Sequence, residues 1–189
     1  SSENVYLGPY GGVCGGLFGS IEKSFLYGLI LENVNIDVSD FAGELYATAG
    51  AIAAGLNDSI AINIFASGSI NGQDIVGGLY GFANYSLIYN NEFEGTVAGT
   101  DKSNNDNDKH VGGLIGWNGH SYVEKCHFKG LLKSEGFVGG IVGYQCGTTK
   151  YLVDNSFEAT HDNDEVKNEA GTIDEATHGL VNWNMVVVG

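Results

Sequence analysis

A short glycine-rich and apolar phrase recurs along the chain and sets the spacing of the predicted elements. The third residue of the phrase is a glycine in every copy, and it recurs every 27 to 39 positions. The six copies are Cys14-Gly-Gly-Leu-Phe-Gly19, Thr48-Ala-Gly-Ala-Ile-Ala53, Val76-Gly-Gly-Leu-Tyr-Gly81, Val111-Gly-Gly-Leu-Ile-Gly116, Val138-Gly-Gly-Ile-Val-Gly143 and Thr177-His-Gly-Leu-Val-Asn182. Self-similarity at this period indicates stacked units that share one core.

A second phrase lies between the glycine-rich copies. It is clearest at 86–95, 122–130 and 151–159, and looser at 29–37 and 60–68. Short apolar runs rich in β-branched and aromatic residues, broken by Asn or Gly, predict strands, about three in each repeat. Because no helical pattern separates them, we expect one all-β domain over 1–189, a right-handed parallel β-helix of about six coils.

Equivalent residues of stacked coils should form columns through the interior. We predict three columns from the alignment of the phrases. They are Leu17, Ala51, Leu79, Leu114, Ile141 and Leu180; then Phe93, Phe128 and Phe157 with Phe65 or Ile64; and Cys14, Thr48, Val76, Val111, Val138 and Thr177.

Two acidic insertions, 100–109 and 161–169, follow the phenylalanine strand of their repeats and should leave the coil at the same edge. Asp106 and Asp108 alternate in the first insertion, as do Asp162 and Asp164 in the second. Flexible carboxylates of this kind are candidate Ca²⁺ ligands. The alternative is a solvated acidic loop without any cofactor, since neither insertion has the glycine or the terminal glutamate of an EF-hand.

The charge balance narrows the classes of partner. The chain has 23 acidic residues against eight basic ones, for a net charge of -15, and all the basic residues are lysines. Such a surface repels nucleic acid, and the lack of arginine removes the usual bidentate clamp for acidic substrates. The sequence has no apolar run of about 20 residues, so we expect no membrane insertion. Three cysteines without a C-x-x-C pair indicate neither a disulfide framework nor a zinc site.

No residue constellation in the sequence predicts catalysis. The five histidines, His110, His120, His127, His161 and His178, are scattered over repeats and corners. Paired carboxylates on adjacent copies of one strand, which a glycosidase needs, do not occur. Trp117 and Trp183 are open to two readings, as sugar-stacking aromatics or as corner and core residues.

Two sequons, Asn57-Asp-Ser59 and Asn84-Tyr-Ser86, should share one corner of the coil. If the source glycosylates secreted proteins, Asn57 and Asn84 would carry sugars. Chance occurrence in a chain rich in Asn and Ser is the alternative.

The phrases Val76-Gly-Gly-Leu-Tyr-Gly81 and Asn90-Asn-Glu-Phe-Glu-Gly95 resemble the GLUG repeat, in which VGGLxG is followed by an Asn-x-x-Phe-x-Gly strand. The match is closest at 75–99, 110–130 and 137–159. GLUG repeats occur in bacterial surface proteins and beside IgA-protease-type enzymes. The resemblance implies an extracellular, secreted or cell-surface solenoid without catalytic activity. Metalloprotease chemistry is not implied, because no His-Glu-x-x-His occurs.

Three functions remain open from the sequence. The first is an adhesion or display module that contacts a cell-surface glycan or protein. The second is a subunit that assembles end to end with itself through an apolar carboxyl-terminal strand, Met185, Val186, Val187 and Val188. The third is a glycan-active β-helix enzyme, for which we find no site.

Overall fold

The structure is a computed structural model and describes residues 6–7, 13–40, 47–100, 110–134, 137–146 and 151–161. Within these ranges the chain forms five stacked coils of a parallel β-helix and no α-helix. This confirms the predicted all-β solenoid. The sixth glycine-rich copy, at 177–182, lies outside the described residues.

Each described coil contributes one strand to each of four sheets. Sheet A comprises β1 (Tyr6–Leu7), β2 (Val13–Gly15), β6 (Ala47–Ala49), β10 (Ile75–Gly77), β14 (His110–Gly112) and β18 (Phe137–Gly139). Sheet B comprises β3 (Phe18–Glu22), β7 (Ala53–Asn57), β11 (Tyr80–Asn84), β15 (Ile115–Gly119) and β19 (Val142–Cys146). Sheet C comprises β4 (Phe25–Tyr27), β8 (Ile60–Ile62), β12 (Leu87–Tyr89), β16 (Tyr122–Glu124) and β20 (Leu152–Val153). Sheet D comprises β5 (Ile30–Asp37), β9 (Phe65–Gly72), β13 (Glu92–Gly99), β17 (His127–Lys133) and β21 (Ser156–His161). Neighbouring strands are parallel except β1, which pairs with β2 antiparallel.

Single residues in the left-handed conformation turn the chain at two corners. They occupy the same place in successive coils, with φ between 45° and 83°. At the corner between sheets B and C they are Lys23, Asp58, Tyr85 and His120, and between sheets C and D they are Gly28, Asn63, Asn90, Lys125 and Asp154. Asn and Asp tolerate this conformation better than most residues, which explains the Asn at the breaks of the second phrase.

The glycine pair makes the corner between sheets A and B. A Cβ at Gly77 would overlap the carbonyl oxygen of Tyr80, and a Cβ at Gly112 would overlap that of Ile115. The two strands therefore approach more closely than any other residue permits.

Apolar columns fill the interior. Leu79, Leu114 and Ile141 are at most 1% exposed, as predicted. The rings of Phe93 and Phe128 stack with centroids 6.3 Å apart, and Phe157 continues this column in register. Burying such side chains stabilises the fold by about 1.5–3 kcal/mol each.

Polar columns close the two left-handed corners. Ser59, Ser86 and Ser121 each accept a hydrogen bond on Oγ from the backbone N–H of the preceding serine in the column, at 3.0, 3.1 and 3.0 Å. At the other corner, Oδ1 of Asn91 accepts from the N–H of Ile64 at 3.0 Å, and the thiol of Cys126 accepts from the N–H of Asn91 at 3.4 Å. The corner amides thus find partners in the next coil, which buried amides require.

The structure corrects the predicted alignment of the second copy. Ala49 pairs with Val76, so the phrase begins one residue later than predicted. Ile52, fully buried, therefore takes the place assigned to Ala51 beside Leu79, since the N–H of Ile52 donates to the carbonyl of Leu79.

Two further assignments were wrong for the same reason. Cys14 and Thr48 stand in the column of Ile75, His110 and Phe137, rather than in that of the valines. Ala66, and neither Phe65 nor Ile64, lies opposite Phe93. Spacing in the sequence cannot locate a register shift of one residue, whereas the hydrogen-bond pairing does.

The described strands place both acidic insertions after sheet D. The first lies between Gly99 in β13 and His110 in β14, and the second follows Ser156–His161. The structure therefore confirms that both insertions leave the coil at the same edge, after a strand of sheet D. Asp106, Asp108, Asp162 and Asp164 themselves lie outside the described residues.

Candidate functional site

The outer surface of sheet C presents two columns of apolar and aromatic side chains. One contains Phe25, Ile60, Leu87 and Tyr122 in register, and the other contains Tyr27, Ile62, Tyr89 and Glu124. Phe25 and Tyr27 are each 65% exposed, and Ile60 is 40% exposed. We call the seven apolar and aromatic members of these columns the sheet C face.

Local geometry explains why these side chains point outward. Each sheet C strand has three residues or fewer and is followed by a left-handed corner residue, and β4, β8, β12 and β16 are also preceded by one. Side chains alternate along a strand, so the central residue points inward and its neighbours point outward. Ala61, Ile88 and Val123 are the central residues and are fully buried.

Two aromatic rings of the face, those of Phe25 and Tyr27, lie nearly parallel. The rings of Phe25 and Tyr27 have centroids 6.2 Å apart and planes 13° apart. At the adjoining corner, Tyr85 stacks on His120 with centroids 5.4 Å apart. An exposed, continuous surface of this kind marks interaction sites in soluble proteins.

Few charges interrupt this surface. Lys125 Nζ donates a hydrogen bond to the hydroxyl of Tyr89 at 3.2 Å and lies 3.6 Å from Oε1 of Glu124. The hydrogen bond to Tyr89, followed by the electrostatic interactions with Tyr89 and then Glu124, raises the pKa of Lys125. Desolvation, followed by the charge of Glu124, raises the pKa of Tyr122. The Tyr122 hydroxyl therefore keeps its proton around pH 7 and can donate a hydrogen bond.

A second aromatic column runs along the outside of sheet B. It contains Phe82, Trp117 and Tyr144, and the rings of Trp117 and Tyr144 stack with centroids 6.3 Å apart. A Cβ at Gly55 would overlap the Phe82 ring, and a Cβ at Gly119 would overlap the Trp117 ring. These half-buried rings cover the backbone, so we assign Trp117 to the outer packing of the coil.

The structure does not bring His110, His120 and His127 together. His110, in sheet A, is buried and stacks on Tyr144 at 4.8 Å. His120 lies at the corner between sheets B and C, whereas His127 lies in sheet D with Nδ1 2.8 Å from the hydroxyl of Ser156. Across the described ranges, no three His, Cys, Asp or Glu side chains converge on a metal-sized site.

Asn57 and Asn84 are direct neighbours at the ends of β7 and β11, which confirms their common corner. Their sequon serines have a structural role. Ser59 and Ser86 are buried, and each donates its hydroxyl proton to the carbonyl of its own Asn, at 2.6 and 2.9 Å. Ser24 and Ser121 occupy the same column without a sequon. The serine of each sequon is therefore part of the hydrogen-bond pattern that repeats at this corner in successive coils.

The first coil leaves the interior open at the amino-terminal end of the described solenoid. Leu17 is 50% exposed and Phe18 is 44% exposed. Phe18 occupies the column of Ala53, Tyr80, Ile115 and Val142, all of which are fully buried. Met185, Val186, Val187 and Val188, the predicted association strand at the other end, lie outside the described residues, as does Trp183.

The sheet C face and the exposed first coil were not predicted from the sequence. The signal for the face is the three-residue apolar run between two corner residues, such as Leu87-Ile-Tyr89. The open coil has no sequence signal, because Leu17 and Phe18 match the buried pattern of the other copies.

Comparison with protein-family models, with curated proteins and with solved structures found no match. None of the described ranges contains a helix long and apolar enough to cross a membrane.

Proposed function

We propose that this protein is a non-catalytic β-solenoid module for adhesion or display and that the sheet C face is its contact surface. The observation that carries the proposal is the column of exposed Phe25, Ile60 and Tyr122 on sheet C, with exposed Tyr27 beside Phe25. A solenoid holds such a surface rigid, so binding sacrifices little conformational entropy.

The charge of the chain limits the partner. At a net charge of -15, a polyanion is repelled, while a neutral glycan or a protein surface is not. Exposed aromatic rings and tyrosine hydroxyls suit both of these partners. The GLUG resemblance supports an extracellular, secreted or cell-surface location for this contact.

The test introduces residue types that already occur at the equivalent position of another coil. Glu124 occupies the column of Tyr27 and Tyr89, so Tyr27→Glu and Tyr89→Glu should fold. The control is Ile30→Ser, because Ile30 on sheet D is as exposed as Tyr27 and Ser156 occupies its column.

Retention of the labelled protein would be measured on cellulose, on chitin and on collagen-coated surfaces. We expect retention on at least one of them, reduced by at least about tenfold in the Tyr variants and unchanged in the control. Retention that survives both Tyr substitutions, or none on any surface, would contradict the proposal.

A second candidate function is a subunit of an extracellular filament that grows by end-to-end stacking. Among the described residues β3, β4 and β5 pair on one side only, and open strand edges of this kind favour pairing with another chain. Concentration-dependent light scattering with negative-stain microscopy tests this candidate. A chain that remains monomeric throughout would exclude it.

A further inference from the structure

The outer surface of sheet B carries flat aromatic rings that are separate from the sheet C face. Phe82, Trp117 and Tyr144 lie in register on successive coils and remain partly exposed. The Phe82 ring fills the place of an outward side chain at Gly55, and the Trp117 ring fills that place at Gly119. Both rings therefore lie along the sheet and do not stand up from it. The plane of the Tyr144 ring is only 12° from that of Trp117, so it continues the same flat surface. We call these three rings the sheet B platform.

Amide side chains border the platform near the corner between sheets B and C. Asn57 and Asn84 stand in register at the ends of β7 and β11. Oδ1 of Asn84 lies 2.7 Å from the Cβ position of Gly119, which the Trp117 ring also fills, so this amide adjoins the platform. Neither amide forms a hydrogen bond with another described residue. Both are therefore available to donate hydrogen bonds to a ligand and to accept them.

The platform is uncharged on a strongly acidic chain. The strands that bear the rings and the amides, β7, β11, β15 and β19, contain no acidic or basic residue. The chain as a whole has a net charge of -15. A surface without charges of its own provides no ion pair for a charged partner, and the field of the chain does not repel a neutral one. The charge distribution therefore favours a neutral ligand.

The shape of the platform favours a sugar over a protein. Protein partners derive most of their binding energy from side chains that fill pockets, and rings lying along a sheet offer neither a protruding anchor nor a pocket. A pyranose ring has an apolar C–H face that can lie on an aromatic ring while its hydroxyl groups reach the neighbouring amides. Successive coils are about 4.8 Å apart, which is close to the length of one hexose unit in an extended β-1,4-linked chain. Successive rings can therefore contact successive sugars.

We propose that the sheet B platform binds an extended, neutral, β-1,4-linked hexose chain that runs along the axis of the solenoid. Trp117 is the central contact, with one face of its ring packed on the backbone and the other against a sugar. Asn57 and Asn84 hydrogen-bond to the sugar hydroxyls. This site lies on a different sheet from the sheet C face and goes beyond the proposed function.

Calorimetric titration of the wild-type chain with cellohexaose tests the proposal. The protein is produced in a host that does not glycosylate asparagine, so that Asn57 and Asn84 keep free amides. Cellohexaose should bind at least about tenfold more tightly than maltohexaose, which has the same sugars and length but a curved, α-linked chain. Equal binding of the two would overturn the assignment of an extended chain. Absence of cellohexaose binding at millimolar concentration would overturn the proposal.

The matched variants use residue types that already occur in the same columns. Trp117→Ser, with Ser20 in its column, should weaken cellohexaose binding by at least about tenfold. Trp117→Phe, with Phe82 in its column, keeps a flat ring and should bind within about threefold of the wild type. Tyr122→Leu is the control, because it removes a ring from sheet C and Leu87 occupies its column. It should bind like the wild type. Circular dichroism checks that each variant is folded, and binding that survives Trp117→Ser would overturn the proposal.

Backbone amide chemical shifts of the wild-type chain provide a second measurement that does not depend on variants. With cellohexaose, the amides of Tyr80–Asn84 and Ile115–Gly119 should shift, while those of Ile60–Ile62 and Leu87–Tyr89 stay constant. Shifts confined to sheet C would overturn this inference and support the sheet C face as the sugar-binding surface.

The outcomes also separate this inference from the proposed function. Retention on cellulose that survives Tyr27→Glu and Tyr89→Glu but is lost in Trp117→Ser would contradict the sheet C face and support the sheet B platform. Retention that is lost in the two Tyr variants and unchanged in Trp117→Ser, without binding of cellohexaose, would do the reverse.

Discussion

Asn155 Oδ1 accepts a hydrogen bond from the backbone N–H of Cys126 at 2.9 Å, across the gap between the fourth and fifth coils. The thiol of Cys126 likewise accepts a hydrogen bond from the backbone N–H of Asn91. Oδ1 of Asn91 in turn accepts one from the backbone N–H of Ile64. Cys126 therefore stands in a column with Asn91 and Asn155. Each member of this column accepts a hydrogen bond from a backbone N–H of the preceding coil.

Cys126→Asn should leave the free energy of unfolding unchanged or raise it. The amide oxygen can accept from the N–H of Asn91, and the amide nitrogen can donate to the carbonyl of Ile88, which the thiol now faces. Cys126→Leu should lower the free energy of unfolding by about 1–3 kcal/mol, because the N–H of Asn91 loses its partner. Urea denaturation of both variants measures the difference. Equal stabilities would refute the role of the column.

Alkaline pH should destabilise the fold through buried acids. Burial raises the pKa of the Cys126 thiol from 9.0 to about 12, and burial also raises the pKa of Tyr80. The unfolded chain therefore loses these protons before the folded chain does. The stabilisation is fully present below about pH 9 and is lost between about pH 9 and about pH 12.

Melting temperatures at about pH 8 and about pH 10.5 check this dependence. Cys126→Asn should reduce the alkaline loss, and Tyr80→Phe should reduce it further. If the melting temperatures of the variants fell as much as that of the wild type between these two pH values, other groups would cause the alkaline destabilisation.

Ser86→Ala should destabilise the corner between sheets B and C by about 1–3 kcal/mol, since the buried N–H of Ser59 loses its acceptor at 3.1 Å. Ser67→Ala is the matched control, because its hydroxyl accepts only an exposed hydrogen bond from Asn33 at 3.4 Å. Thermal melts of the two variants give the comparison. A control that loses as much as Ser86→Ala would count against the serine column.

Two glycines with positive φ should respond oppositely to substitution. Gly28 has φ +67° and open space around it, and Asn63 and Asn90 occupy its column, so Gly28→Asn should be tolerated. Gly95 has φ +148°, and a Cβ there would overlap the carbonyl oxygen of Gly68. Gly95→Ala should lower the free energy of unfolding by at least about 3 kcal/mol. Circular dichroism with urea denaturation ranks the two, and the reverse order would contradict the register of sheet D.

Leu114→Ala should lower the free energy of unfolding by about 2–5 kcal/mol, because the fully buried side chain leaves a cavity between coils. Leu87→Ala, on the sheet C face, removes the same atoms from a partly exposed position and should change stability much less. Calorimetry of the pair measures the contrast. Similar losses would mean that the inside and the outside of the coil are misassigned.

The candidate contact surfaces were less predictable than the interior. A buried column repeats because the same packing is required in each coil, so its pattern is visible in the sequence. The sheet C face has no such constraint, and its members vary from Phe25 through Ile60 to Tyr122. Exposure also depends on neighbouring coils, and nothing in the phrase Leu17-Phe18 shows that no described coil covers it.

The sequence alone determined the repeat, the β structure and the parallel stacking, because strand propensity and the recurrence of Gly, Asn and apolar positions are local properties. The tertiary structure decided the rest. Whether Ala49 or Gly50 lies beside Gly77 depends on which backbone groups pair across coils. The spacing of the phrases determines this register only to within one residue. Only the stacked coils show that Ser59 and Ser86 close a corner, that Cys126 replaces an asparagine and that Phe18 remains exposed, since each of these facts depends on a residue in another coil.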